Sequence, residues 1–148
     1  MYGLNDNFGL ENSHVLAALI RKVHEAKMEK RDKVILWGSG KPRREFIFSE
    51  DAADASIFAM KNAEGLENKH YNVGTGTDYT IRELADMIAS VVGYDGKILW
   101  DTEKPDGTPR KLLDSSRFLR LGWKPQTSLK EGLTKTYEWF LKNADIKA

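Results

Sequence analysis

Short apolar runs of strand length alternate with amphipathic helical patterns along this chain, and that alternation limits it to a layered α/β or α+β sandwich. Val34-Ile35-Leu36-Trp37 and Lys97-Ile98-Leu99-Trp100 suit buried strands, and Gly38-Ser39-Gly40 stops the first of them. Arg44-Glu45-Phe46-Ile47-Phe48 and His70-Tyr71-Asn72-Val73 are further strand candidates, the second ended by Gly74-Thr75-Gly76. Helical periodicity fills the intervals. Asn12 or Ser13 is placed to cap a helix carrying Val15, Leu16, Leu19, Ile20 and Val23 on one stripe. Ser49 is expected to cap the next helix, with Glu50 and Asp51 in its first turn and Ala52, Ala53, Ala55 and Ala59 along it. Two capping boxes, Thr80-Ile81-Arg82-Glu83 and Ser128-Leu129-Lys130-Glu131, open two more helices. Asp114 or Ser115 begins a short helix that stops at Leu121-Gly122.

Composition narrows the function classes. A chain of 148 residues suits one domain, and 1–148 is read as a single unit. A net charge of +1, with basic residues spread among acidic ones, argues against nucleic acid or an anionic membrane as partner. The absence of cysteine excludes disulfides and thiolate metal sites, and makes a reducing cytoplasm the expected compartment. No apolar run approaches the ~20 residues needed to cross a bilayer, and the polar start lacks the pattern of a signal peptide. No His/Asp/Glu cluster has metal-ligand spacing, so no metal is expected. His24 and His70 read as ordinary surface histidines.

Several residues have types and positions suited to chemistry. Trp37 stands directly before Gly-Ser-Gly, a strand-end position where an indole can line a nucleotide pocket or simply join the core. Arg43 and Arg44 are adjacent, so on a strand only one can point into a site; a guanidinium there could grip phosphate through its fixed fork. Asp106 sits in a Pro-Asp-Gly turn, where a carboxylate can shape the turn or accept hydrogen bonds from sugar hydroxyls. His14 lies at a helix mouth, and Lys22 falls on the same broad face two turns later. Neither Gly38/Gly40 nor Gly74/Gly76 gains the third glycine of a G-x-G-x-x-G turn, and no tyrosine has a lysine four residues downstream.

Four motifs in register, Asn12-Ser13-His14, residues 37–46, Asn72-Val73-Gly74-Thr75-Gly76 and residues 104–114, resemble the C-terminal half of the GDP-L-fucose synthase family, a group of extended short-chain dehydrogenase/reductases. The resemblance runs from Tyr2 to about Asn143. It implies the substrate-binding portion of an α/β enzyme whose Rossmann half, with the NADP fingerprint and a Ser-Tyr-Lys set, lies outside these residues. It further implies that His14 is the acid of an epimerisation and lies close to the nicotinamide. Lys22, Trp37, Arg44 and Asp106 would bind the nucleotide sugar GDP-4-keto-6-deoxymannose, with Arg110 and Lys111 in a secondary electrostatic role. The family's NADP is not expected to bind this chain alone. The expected partners are a GDP-sugar, a separate Rossmann-half protein and further copies of the chain. The alternative is a stand-alone, non-catalytic nucleotide-sugar module or an inactive relic. Leu4, Ala17 and Phe48 stand where the family carries proline, proline, and histidine or tyrosine, which points to a diverged sequence.

Overall fold

A computed structural model describes residues 1–9, 12–66 and 69–143. Its elements follow in the order α1 (Val15–Met28), β1 (Lys33–Trp37), β2 (Arg43–Glu45), α2 (Ser49–Lys61), a 3-10 turn (Ala63–Gly65), β3 (Asp78–Thr80), α3 (Ile81–Val92), β4 (Lys97–Asp101), β5 (Arg110–Lys111), α4 (Ser116–Leu119) and α5 (Leu129–Asn143). Strands β1 and β4 pair in parallel, Lys33 opposite Lys97 through Trp37 opposite Asp101. A second sheet runs in the order β3-β2-β5, with β2 antiparallel to β3 and parallel to β5. The fold is α/β.

The β1–β4 sheet buries one face only. Val34 and Leu36 turn inward to the stripes of α1, α3 and α5, while Ile35 and Trp37 stand outward, as the two-residue period of a strand requires. The main core gathers Leu16, Ile20 and Val23 of α1, Leu84 and Ile88 of α3, and Leu133 and Phe140 of α5. Both capping boxes form: Thr80 and Ser128 accept from the backbone of Glu83 and Glu131, whose carboxylates accept in return from the Thr80 and Ser128 amides. A smaller cluster packs Ala55, Phe118 and Trp123 together with Tyr71 and Val73.

Several expectations are corrected. Residue 14, not 12 or 13, is the N-cap of α1; it makes no side-chain cap, and the hydroxyl of Ser13 is buried without a partner. Ser49 is the first helical residue of α2 and Phe48 its cap. The strand expected over 44–48 is Arg43–Glu45, and Phe48 instead bridges Tyr2. Residues 70–73 join no strand ladder; Tyr71 and Val73 pack against the Phe118 cluster instead, so their apolar pattern reports burial and not pairing. α4 begins at Ser116, with Ser115 as its cap. Strands β3 and β5, of three and two residues, were not expected at all.

His24 is not a surface residue. It is buried, with its Nδ1 2.9 Å from the Tyr137 hydroxyl and its ring 5.2 Å from that of Phe140. Burial, reinforced by Lys27, lowers its pKa below the ordinary 6.5. The folded state therefore resists a proton that the unfolded chain accepts. Stability should be flat above about pH 6.5 and fall as pH drops through the window between that value and the lowered folded pKa. Denaturant melts at stepped pH should show this slope in the wild type and lose it in His24→Asn; an equal slope in both would show that another group sets it.

Candidate functional site

The outward end of β1 and the loop after β4 form the most elaborated polar surface near the predicted residues. Trp37 is 69% exposed, although an indole of that size is ordinarily buried. Two ammonium groups lie over its ring, Lys22 at 5.2 Å and Lys104 at 5.9 Å from the centroid. Both distances suit cation–π attraction. The result is an aromatic plate edged with positive charge.

Beyond Trp37 the chain makes the Gly38-Ser39-Gly40 turn. Gly38 and Gly40 have φ of +78° and +74°, which side-chain-bearing residues rarely adopt. Space is as restrictive as conformation: a Cβ on Gly38 would lie 2.4 Å from Asp106 Oδ1, and one on Gly40 2.8 Å from the Trp100 ring. Asp106 accepts from the Ser39 amide at 2.8 Å and from the Ser39 hydroxyl at 2.6 Å. These bonds hold its carboxyl below the usual carboxylate range.

Arg43 and Arg44 go to different partners. Arg43 donates to the Asp78 carboxylate and to the Asp78 carbonyl, each at 2.9 Å. Arg110 reaches the other Asp78 oxygen at 2.5 Å, so one nearly buried carboxylate ties β2, β3 and β5 together. Arg110 first, then Arg43, keeps that carboxyl well below its ordinary range. Arg110 thus serves the fold. Arg44 makes no ion pair among the described residues; it donates only to the Arg43 carbonyl, and its Nη2 lies 3.2 Å from where a Cβ of Gly107 would stand.

The loop after β4 therefore gathers four of the predicted residues: Lys104 meets the Trp37 ring that also takes Lys22, Asp106 meets Ser39, and Gly107 meets Arg44. His14 is not among them. It is exposed at the start of α1, about 12 Å along the helix axis from Lys22 at 1.5 Å per residue. There it borders a hollow of about 320 Å³ lined by residues 1–6 and Ser49.

Sequence reasoning did not single out Ser39, Arg82, Lys104 or Glu45. Arg82 donates to the Ser39 carbonyl at 2.9 Å and stacks 4.8 Å from the Trp100 ring. Glu45 accepts from the Gly76 amide at 2.7 Å and the Leu113 amide at 3.2 Å, and its carboxylate fills the space beside Gly74. Adjacency to Arg44 was the only signal for Glu45. No group of His, Asp or Glu among the described residues could hold a metal ion. No helix among them is long and apolar enough to cross a membrane.

Comparison with known proteins matches residues 1–74 to the NAD dependent epimerase/dehydratase family. GDP-L-fucose synthase 1 of Arabidopsis thaliana is 54% identical over 143 residues, covering 97% of this chain and 44% of that protein. GDP-L-fucose synthase of Escherichia coli K12 is 53% identical over 152 residues, covering 98% of this chain and 47% of that protein. The chain thus spans less than half the length of these relatives. Among solved structures, a GDP-L-fucose synthetase from Naegleria fowleri bound to NADP superposes with a TM-score of 0.86 at 30% identity, over 96% of this chain and 44% of that one. A UDP-glucose 4-epimerase from Thermotoga maritima with UDP-glucose gives 0.80 at 26% identity, over 95% of this chain and 43% of that one.

Proposed function

This chain belongs to the NAD dependent epimerase/dehydratase family, and on that premise we propose that it is the nucleotide-sugar-binding part of a GDP-L-fucose synthase-type epimerase/reductase. The observation that carries the reading is the exposed Trp37 plate, edged by Lys22 and Lys104 and adjoining an Arg44 that has no carboxylate partner among the described residues. A GDP-sugar offers what such a surface lacks. Its base has a π-face for the indole, its diphosphate has oxygens for the guanidinium fork, and its hydroxyls can share Asp106. Lys22 adds a point charge beside the phosphates.

The glycine turns of this chain offer no open cradle for the phosphates of NADP. Each glycine turn that resembles a phosphate cradle is filled by the chain's own side chains: Asp106 against Gly38, Trp100 against Gly40, and the Glu45 carboxylate against Gly74 and the Gly76 amide. A carboxylate in such a turn repels phosphate. That observation favours, as a second reading, a chain that binds nucleotide sugar without catalysing anything by itself. It also makes a partner part of the proposal. The α2 face bearing Ala53, Ile57 and Met60 is exposed, Met60 by 78%, and suits either a dinucleotide-binding partner or a second copy.

Calorimetric titration with GDP tests the binding reading. Weak, saturable binding is expected. Arg44→Ala should weaken it by about 1.5–3 kcal/mol, the range for a hydrogen bond to a charged group. Arg43→Ala should largely spare affinity, because Arg43 serves Asp78. Equal losses from both variants, or no binding by the wild type, would overturn the assignment.

A further inference from the structure

We propose that Ser39 is a positioning residue for nucleotide binding, latching residues 104–108 across the strand ends and so fixing Asp106 for a ligand; the inference rests on the nucleotide-sugar reading above. Its starting point is how little else holds residues 105–108. Every side chain from residue 102 to residue 114 is exposed, so no buried apolar group anchors the segment. Segments of that kind open locally at small cost unless polar contacts tie them down.

The other ties hold the two ends of the segment and not its tip. Far from Trp37, Pro109 accepts from the Arg43 amide at 2.8 Å, β5 pairs with β2, Arg110 reaches Asp78, the Leu113 amide donates to Glu45, and Asn72 donates to the Asp114 carbonyl. At the Trp37 end, the Glu103 and Lys104 amides donate to Asp101 and the Lys104 ammonium lies over the Trp37 ring, while Asp106 itself is held by Ser39, which donates to both of its carboxylate oxygens. An O–H to carboxylate bond at 2.6 Å lies in the short, strong range. The hydroxyl is also oriented: the Lys41 amide donates to Ser39 Oγ at 3.1 Å, which leaves the O–H proton for Asp106.

Ser39 itself cannot drift. Arg82 holds its carbonyl from behind, and the Arg82 amide donates to the Gly40 carbonyl at 2.9 Å. Gly40 in turn backs onto the Trp100 ring, over which the Arg82 guanidinium lies. The turn is thus fixed on one side by Arg82 and Trp100, and offers its free side to Asp106. With both Asp106 oxygens committed inward, the outward lone pairs remain for a ligand hydroxyl at a defined place. Gly107, the next residue, is then carried to Arg44, so one latch sets the spacing between the carboxylate and the guanidinium.

The test compares wild type, Ser39→Ala and Ser39→Thr by hydrogen exchange, GDP calorimetry and thermal melting. Ser39→Ala keeps the residue 39 amide but removes the hydroxyl, and should raise exchange of that amide, which is protected only while Asp106 stays docked, about tenfold and weaken GDP binding about tenfold, the lower end expected for a charged hydrogen bond. Its melting temperature should hardly move, because the loop buries nothing. Ser39→Thr keeps the hydroxyl and should restore both readouts. Unchanged exchange in Ser39→Ala overturns the latch, and faster exchange with unchanged affinity overturns its role in binding. Absence of GDP binding in the wild type overturns the nucleotide reading instead, and the exchange comparison then decides the latch alone.

Discussion

Replacing Phe140 by alanine should destabilise the chain by about 3–5 kcal/mol, the usual cost of truncating a fully buried aromatic ring. Phe140 has no exposed surface, and its ring lies 4.7 Å from that of Phe8, 5.2 Å from His24 and 6.2 Å from Tyr137. It therefore joins the N-terminal segment, α1 and α5 at one point. Relaxation cannot easily fill the space, because these neighbours are rigid rings on separate elements. The next residue supplies the control. Leu141 is 52% exposed, and Leu141→Ala should stay within about 0.5 kcal/mol. Urea midpoints for the two variants, at equal slope, measure the contrast; a Phe140 cost below about 1 kcal/mol would show that this junction is not the centre of the core.

What could be read in the sequence depended on how local the signal was. The capping boxes at Thr80 and Ser128 fixed two helix starts, because both partners lie within one turn. Strands β1 and β4 were visible as apolar runs, but a continuous run suggests burial on both faces, whereas Ile35, Trp37 and Leu99 stand exposed on the outer one. His24 could have been placed correctly: it follows Leu16 and Ile20 at four-residue steps, on the stripe that packs inward. The polarity of its ring masked that periodicity. Strands β3 and β5 had no such signal. They are too short for a pattern, and Asp78 holds them to β2 through arginines 35 and 32 residues away in sequence. The candidate site divides in the same way. Trp37, Arg44 and Asp106 were recognisable by type and motif, but the bond joining Ser39 to Asp106 spans 67 positions. So does nothing local: only the fold brings the loop to the turn. Tyr71 and Val73 mark the opposite failure, a strand-like pattern whose residues pack on Phe118 without a ladder.

His14 should matter only once a complete site is assembled. Fused behind the dinucleotide-binding half of a family enzyme, this chain should support exchange of solvent deuterium into GDP-4-keto-6-deoxymannose at C3 and C5. Inverting a carbon beside a ketone requires a base on one face and a proton donor on the other, and imidazole titrates close enough to neutrality to serve as the donor. The position fits that task in one respect that the fold makes plain: His14 is exposed beside the hollow formed by residues 1–6 and Ser49, and spends no side-chain bond on capping α1. Its ring is free to face a substrate. His14→Gln keeps a polar group of similar reach and should leave α1 intact, since the helix never used the side chain as a cap. Exchange at C3 and C5 should nevertheless fall by roughly 10²–10⁴-fold, the usual contribution of a positioned acid or base. GDP affinity should barely change, because Trp37 and Arg44 lie elsewhere along β1 and β2. Wild-type exchange rates in the variant would remove His14 from the chemistry, and a parallel loss of GDP affinity would place it in binding instead.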